Sequence, residues 1–350
     1  VSFAVGMLIM GPISDQIGRK PVLLVGLVIF LVGGTMGALA ESIPVMMASR
    51  VIQGIGGAAG MSVGRAVARD LFEGPQLVKV YGVLTMAMAV VPGLAPFLGG
   101  LLVADFGWRV VLAVPVVCAA VIFVGVALIV WETLPGDSAA ERAEQGGRGG
   151  LRAVLRGYAG VLRSRIFVKF AIGNSLTLGG LYGFAAGSPD HFIGVMGYPP
   201  SLFGFLPMVP AASYLLGAFL ASRIAADPRR FTVFYQGSAC FVLAGGIGAL
   251  ACALLGHQDI WPVMLFVSLY GIGMGGILPL GVTGAMQPFR RQAGTAAAVL
   301  GAMQMGAGAP STSLMALIPG DPLPVFASLM VGCAIGPVMI AFLAKPQLGG

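Results

Sequence analysis

Residues 11–21 read Gly-Pro-Ile-Ser-Asp-Gln-Ile-Gly-Arg-Lys-Pro and lead into an apolar segment that continues to residue 40. Gly18 permits a tight turn, and Pro21 suits the first turn of a helix. Asp15 is placed to face the N-terminus of a neighbouring helix. The stretch therefore predicts a short charged turn between two apolar helices.

The composition of the whole chain indicates a membrane protein. Of its 350 residues, 57% are apolar and only 9% are charged, and the mean hydropathy is +0.95. A soluble chain carries about 25% charged residues because its surface faces water. We therefore expect lipid to face most of this surface. The four cysteines lie in apolar segments, which is typical of small buried side chains and not of a disulfide framework or metal site.

Glycine is abundant, with 55 residues, and it often recurs four residues apart inside apolar segments. Small residues at this spacing let membrane helices approach closely, because lipid supplies no hydrophobic drive between them. We expect such contacts at Gly33, Gly37, Gly56, Gly60, Gly64, Gly179, Gly183, Gly187, Gly332 and Gly336.

Ten apolar segments reach the length of about 20 residues that a membrane span requires. They cover residues 21–40, 45–67, 77–104, 109–131, 166–187, 202–224, 231–255, 261–286, 293–318 and 324–343. The segment 1–13 is too short to cross a bilayer. We therefore expect the chain to begin inside a span, with the first span missing.

The basic residues support this map. Of the 20 lysines and arginines, all but Arg50 and Arg109 lie in or beside every second loop between the predicted spans. Basic loops of membrane proteins stay in the cytoplasm. This pattern predicts a cytoplasmic C-terminus, and it explains the net charge of +7 without a nucleic-acid partner.

One long polar loop divides the chain into two halves. Residues 1–131 hold the earlier spans and 166–350 the later ones, and residues 132–165 form a linker. The second part of the linker has apolar and basic residues at helical spacing, which predicts a helix on the cytoplasmic membrane surface. Two matched bundles imply a binding site between them near mid-membrane.

The turn at residues 11–21 resembles the signature between spans 2 and 3 of the major facilitator superfamily. The resemblance implies an all-α fold of two six-helix bundles, comprising spans 2–6 and 7–12 in this chain. It also implies a charge cluster of Asp15, Arg19 and the acid Asp70 at the end of span 4, which holds the outward-open state. The residues assigned to this cytoplasmic latch are Gly11, Asp15, Gly18, Arg19, Lys20 and Asp70. A role of Arg19 and Lys20 in enforcing topology is compatible with it.

Span 4 carries Arg50, Gln53 and Gly54 on one helix face. An arginine inside a span costs at least ~2.5 kcal/mol, so it normally faces a cavity or a partner. Residues 50–54 are similar to a second signature of the superfamily, in which the arginine is tied to proton coupling. The alternative is that Arg50 extends to the membrane surface.

Span 5 contains prolines and glycines that weaken or bend a helix: Pro92, Gly93, Pro96, Gly99 and Gly100. This stretch resembles the signature of exporters in the superfamily, although Val91 and Ala95 replace two of its glycines. Its Ala-Pro variant is similar to the bicyclomycin-resistance (Bcr/CflA) subfamily.

Polar residues also lie within later spans. Asn174, Tyr182 and Gln304 are candidates to line the cavity, and helix–helix hydrogen bonds are the alternative for each. Asp190 and His191 come at the outer end of span 7. His191 could take up a proton from outside, but a solvated loop pair is the favoured interpretation.

These observations predict a bacterial inner-membrane transporter that exports small amphipathic drugs in exchange for protons, as a monomer. Proton- or sodium-coupled uptake of a sugar or other metabolite is the alternative. No Gly-x-x-x-x-Gly-Lys-Ser/Thr stretch occurs, so an ion gradient must supply the energy. With two histidines and no paired acids within spans, an enzyme, a metal site or a cofactor is not expected.

Overall fold

A computed structural model describes residues 1–72, 94–103, 105–133, 150–224, 228–256, 259–289 and 293–343, together with residues 76, 80 and 91. Almost all of these residues are helical, and no strand occurs among them. Five of the helices are long and apolar enough to cross a membrane by length and composition. The predicted all-α membrane architecture is therefore present in the described ranges.

We number the α-helices in chain order. They are α1 Ser2–Ile17, α2 Arg19–Ala38, α3 Ile43–Leu71, α4 Leu94–Val103, α5 Trp108–Ile129, α6 Gly150–Leu162, α7 Arg165–Pro189, α8 Pro200–Phe203, α9 Met208–Ile224, α10 Pro228–Leu254, α11 Ile260–Met286, α12 Ala293–Gly306, α13 Gly308–Leu317 and α14 Pro322–Leu343. A π-helical segment, Asp190–Val195, directly follows α7, and a 3-10 turn, Gln287–Phe289, follows α11.

Two segments predicted as single spans are each divided into two helices. Residues 202–224 form α8 and α9, because Pro207 has no N–H to donate to the carbonyl of Phe203, where α8 ends. The N–H of Leu206 bonds that carbonyl instead, at 3.1 Å. Residues 293–318 form α12 and α13, and α12 ends at Gly306, the residue whose carbonyl would otherwise pair with Pro310. Of the predicted span 77–104, most lies outside the described residues.

The described residues cluster into two compact units. The first comprises those within Val1–Ala87, Asp105–Arg163 and Arg291–Ala302. The second comprises those within Met88–Ala104, Ser164–Arg290 and Met303–Gly350. The predicted domain limits at residues 131 and 166 stay a prediction.

In the first unit, α1, α2 and α3 share a small apolar core. It consists of Met10, Val22, Ala59 and Val63, all buried. Glycine brings the helices together, since a Cβ on Gly33 would lie 2.5 Å from the backbone nitrogen of Gln53. Among the described residues, no atom lies within 4 Å of a Cβ placed on Gly60, Gly64 or Gly332, so no close helix contact is seen at these three positions. The spacing of glycines does not tell which face of a helix meets a neighbour.

The linker helix α6 contacts α1 where a proline leaves a backbone carbonyl without its helical hydrogen bond. Pro12 lies inside α1, so the carbonyl of Leu8, four residues earlier, has no N–H to accept from. The hydroxyl of Tyr158 on α6 donates a hydrogen bond to this carbonyl at 2.8 Å. Val161, one turn later on α6, is fully buried. The proline in α1 thus provides the acceptor that holds the linker helix.

Replacing Tyr158 by Phe is expected to destabilise the protein by about 1 kcal/mol, because the Leu8 carbonyl loses its donor. Burial and then the charge of Asp15 raise the pKa of Tyr158. A raised pKa gives stability that is complete below about pH 10 and is lost as pH rises through the folded-state value. Thermal unfolding of the purified protein should therefore show a smaller loss of stability above about pH 10 in Tyr158→Phe than in the wild type. An identical alkaline loss in both proteins would contradict this assignment.

In the second unit, α7 packs closely against α11 and α14. The hydroxyl of Tyr270 on α11 donates to the carbonyl of Thr177 on α7 at 2.8 Å, and both residues are buried. Gly187 faces α14, since a Cβ there would lie 3.0 Å from the ring of Phe326. These contacts fix the end of α7 beside the beginning of α14.

Candidate functional site

The turn between α1 and α2 holds a compact charged cluster around Arg19. Nη1 of Arg19 lies 2.6 Å from Oδ1 of Asp15, and its Nε lies 2.9 Å from Oδ2 of Asp70 at the end of α3. Nη1 also donates to the hydroxyl of Ser14 at 2.7 Å. Arg19 is only 2% exposed, so its charge depends on the two carboxylates. The cluster therefore ties the α1–α2 turn to the end of α3.

The turn itself requires glycine. Gly18 has φ 108°, a conformation that L side chains rarely adopt. A Cβ at this position would lie 2.5 Å from Oε2 of Glu132. Gly18 thus provides both the turn and the space for a carboxylate from another part of the chain.

Glu132 is a residue of this site that the sequence analysis missed. Its Oε1 accepts from the N–H of Arg19 at 2.8 Å, and its Oε2 accepts from the N–H of Lys20 at 3.1 Å. These are the first N–H groups of α2, which have no partner within the helix. A carboxylate at a helix N-terminus is also favoured by the helix dipole. The sequence did offer one indication of a role for Glu132: it directly follows an apolar span, in a chain that has only 13 acidic residues.

Lys20 and Gly11 support the cluster from its edges. Nζ of Lys20 donates to the carbonyl of Ala127 in the last turn of α5 at 2.9 Å, where a cation is favoured. The carbonyl of Gly11 accepts from the Ser14 hydroxyl at 2.7 Å. The latch residues predicted from the sequence therefore lie together in one unit, and their role in gating stays a prediction.

The predicted coupling residues lie on α3. Nη1 of Arg50 donates to Oε1 of Gln53, one turn later, at 2.6 Å. Gln53 is buried, whereas Arg50 is exposed. Gly54 faces α1, because a Cβ there would contact the Ser2 hydroxyl. In the part of the chain that the structure describes, no carboxylate lies within ion-pair distance of Arg50.

Of the predicted flexible residues of span 5, Pro96, Gly99 and Gly100 lie on α4. A Cβ on Gly100 would lie 2.8 Å from the carbonyl oxygen of Pro200, so the glycine permits a close approach of α4 and α8. Pro92 and Gly93 lie outside the described residues.

The polar candidates of the second unit differ in their surroundings. Asn174 is fully buried, and its Nδ2 donates to the carbonyl of Leu278 on α11 at 3.2 Å, which is a helix–helix hydrogen bond. Tyr182 contacts the sulfur of Met305 at 3.5 Å. Gln304 is half-buried on α12.

The interpretation of His191 as part of a solvated loop pair was wrong. His191 is 4% exposed, and its Nδ1 lies 2.7 Å from Oδ1 of Asp321, at the start of α14. Asp190, its neighbour in sequence, is exposed. The end of α7 turns inward because the π-helical segment directs the imidazole toward α14. Within the described ranges, no group of three or more His, Cys, Asp or Glu could hold a metal ion.

Comparison with known proteins agrees with this architecture. The family model of the Major Facilitator Superfamily matches residues 1–312. The chain belongs to this superfamily of membrane transporters. It is therefore a multi-pass membrane transporter of small molecules and not an enzyme, and the predicted fold class is confirmed.

Curated bacterial relatives show which members the chain is similar to. It is 32% identical to multidrug resistance protein D of Escherichia coli, over 91% of this chain and 77% of the relative. It is 27% identical to the bicyclomycin resistance protein homolog of Haemophilus influenzae, over 95% of this chain and 83% of the relative. It is 24% identical to multidrug resistance protein MdtL of Salmonella paratyphi A, over 98% of this chain and 83% of the relative. The resemblance to the bicyclomycin-resistance subfamily is thereby confirmed.

Proposed function

We propose that this protein exports small amphipathic compounds, drugs among them, in exchange for protons. It does so by alternating access, as a monomer in the bacterial inner membrane with a cytoplasmic C-terminus. The observation that carries this proposal is the 32% identity, over 91% of the chain, to a relative named for multidrug resistance. The two bundles are residues 1–131 and 166–350, joined by the linker 132–165.

The charged cluster suits a gate on the cytoplasmic side. Arg19 joins α2 to both Asp15 and Asp70, through contacts of 2.6 and 2.9 Å. A gate needs an element with two discrete arrangements, and a set of short ion pairs is either formed or broken. Because Tyr158 attaches the linker helix to α1 close to this cluster, movement of the linker is transmitted to the turn.

Arg50 suits the coupling of export to protons. Its described partners are the neutral Gln53 and the sulfur of Met46, so no described carboxylate neutralises its charge. A cation favours the ionised form of any acid that comes near it. Proton release toward the cytoplasm then accompanies the binding of an amphipathic substrate at the same face of α3, so that proton and substrate are bound in turn.

The direction of transport is tested in everted membrane vesicles from an efflux-deficient bacterium that expresses the protein. With an imposed proton gradient, bicyclomycin and ethidium are expected to accumulate in the vesicles and to release protons from them. Accumulation of these compounds only in right-side-out vesicles would contradict export. Proton- or sodium-coupled movement of a sugar in that orientation would favour the uptake alternative.

Replacing Arg50 by Ala is expected to lower uphill export by about tenfold, since the charge that drives proton release is gone. Downhill substrate exchange, which needs no net proton transfer, should remain within about threefold of the wild type. Arg109→Ala is the matched control, because Arg109 stacks on the ring of Trp108 and contacts only the carbonyl of Ala40 in the described residues. Equal losses of uphill export and downhill exchange in Arg50→Ala would show that Arg50 does not couple protons.

A further inference from the structure

The π-helical segment after α7 carries a buried histidine, His191. Nδ1 of His191 contacts Asp321, but Nε2 is buried and has no hydrogen-bond partner among the described residues. Two phenylalanine rings surround the imidazole, with centroids 5.2 Å away for Phe192 and 6.3 Å away for Phe326. Both rings are fully buried. A buried polar atom without a partner is rare enough to require an explanation.

We propose that His191 and Asp321 form a proton-binding site in which Nε2 of His191 takes up the proton. The carboxylate of Asp321 accepts hydrogen bonds only, so it selects the tautomer with the proton on Nδ1. Nε2 then carries the lone pair. A proton that binds there turns the hydrogen bond between a neutral imidazole and the carboxylate into an ion pair between imidazolium and carboxylate, which is the stronger interaction.

A backbone hydrogen bond at the start of α14 fixes the position of the Asp321 carboxylate. It is the residue before α14, and its Oδ1 also accepts from the N–H of Leu323 at 3.0 Å, as a helix cap does. The helix N-terminus stabilises the negative charge of the carboxylate. Its side chain is 46% exposed, whereas that of His191 is 5% exposed. Water therefore reaches the carboxylate, which contacts Nδ1, whereas Nε2 is buried beside the rings of Phe192 and Phe326.

The backbone at His191 provides independent support. Residues Asp190–Val195 form a π-helix, in which the N–H of Met196 donates to the carbonyl of His191 at 2.9 Å. Such π-helical segments are rare, and they occur frequently at functional sites. The wider turn places the imidazole against α14 in this chain. A regular α-helical continuation of α7 would lack this π-helical hydrogen bond.

Few other titratable groups face the imidazole. Asp190 is adjacent in the chain but exposed, and Tyr198 follows the π-helical segment. The short helix α8, which packs against this segment, has no titratable side chain. On α14, apart from Asp321 at its cap, the described titratable side chain is Cys333, about three turns along the helix. Asp321 is therefore the charged group that contacts the imidazole among the described residues.

The proposal does not depend on proton coupling of export, and it is tested on the resting protein. The sequence has only two histidines, His191 and His257, so nitrogen NMR of the ring-labelled protein in detergent gives two sets of signals. His257→Gln identifies those of His191. The expected spectrum shows the Nδ1–H tautomer at high pH and both nitrogens protonated at low pH. A single protonation state from pH 5 to 8.5, or the Nε2–H tautomer, would overturn the proposal.

The role of Asp321 is measured with a matched pair of variants. Asp321→Asn keeps an oxygen that caps α14 but removes the charge, so the proton affinity of His191 should fall by about tenfold. Asp190→Asn removes an exposed charge one residue away and should change the affinity less than about twofold. If Asp321→Asn does not fold, Asp321→Ser provides an uncharged cap for the same measurement. An equal effect of the two positions, or none at Asp321, would refute the assignment.

Discussion

Replacing Arg19 by Met is expected to abolish detectable export and to destabilise the folded protein by about 3 kcal/mol. The substitution leaves Asp15 and Asp70 without the cation that lies between them, at 2.6 and 2.9 Å. The side chain of Asp70 is 15% exposed, so most of the cost arises there, whereas that of Asp15 is 53% exposed and is screened by water. Thermal unfolding in detergent and drug accumulation in everted vesicles measure the two effects.

Lys20→Met is the control for the loss of one positive charge from the same turn. Lys20 donates to a backbone carbonyl, that of Ala127, at 2.9 Å, so its removal should cost less than about 1 kcal/mol. The triple variant Arg19→Met, Asp15→Asn, Asp70→Asn removes the whole charge set. It should regain most of the stability, because no carboxylate is left uncompensated, but it should not regain export. Full export by the triple variant would show that these charges do not gate transport.

The sequence is sufficient to predict the fold class, and the physical reason is simple. The length and polarity of each apolar segment determine whether it can cross a bilayer, and both are local properties. The limits of α11, Ile260 and Met286, therefore lie close to the predicted span 261–286. The division of residues 293–318 was missed, although its cause, Pro310, is also local.

Contacts between residues far apart in the sequence are harder to predict from the sequence alone. Glu132 meets Arg19 across 113 positions of sequence, and His191 meets Asp321 across 130. No periodicity connects these positions, because each contact depends on how separate helices pack. Resemblance to a family supplied the grouping of Asp15, Arg19 and Asp70, but no motif included Glu132.

Replacing Gly18 by Ala is expected to destabilise the protein by about 3 kcal/mol. The φ of 108° lies in a region essentially restricted to glycine, which costs about 1–3 kcal/mol for another residue. The new Cβ would also lie 2.5 Å from Oε2 of Glu132. The carboxylate must then move, and the N–H groups of Arg19 and Lys20 lose their acceptor at about 1 kcal/mol each. Thermal and denaturant unfolding in detergent provide the measurement.

Gly11→Ala is the matched control in the same turn. A Cβ on Gly11 would meet no atom of the described residues within 4 Å, and Gly11 lies inside α1 without a positive φ. Alanine favours a helix over glycine by about 0.8–1 kcal/mol, so this variant should be unchanged or slightly more stable. The two glycines of one motif thus have opposite expected effects.

The contribution of Glu132 is separated from backbone strain by a double-mutant cycle. Glu132→Ala alone removes the acceptor for the two N–H groups of α2. In the Gly18→Ala background the carboxylate is already displaced from both N–H groups, so the second substitution should cost about 2 kcal/mol less than it does alone. Strict additivity would mean that the alanine methyl group does not disturb the carboxylate. Backbone strain alone would then explain why this position requires glycine.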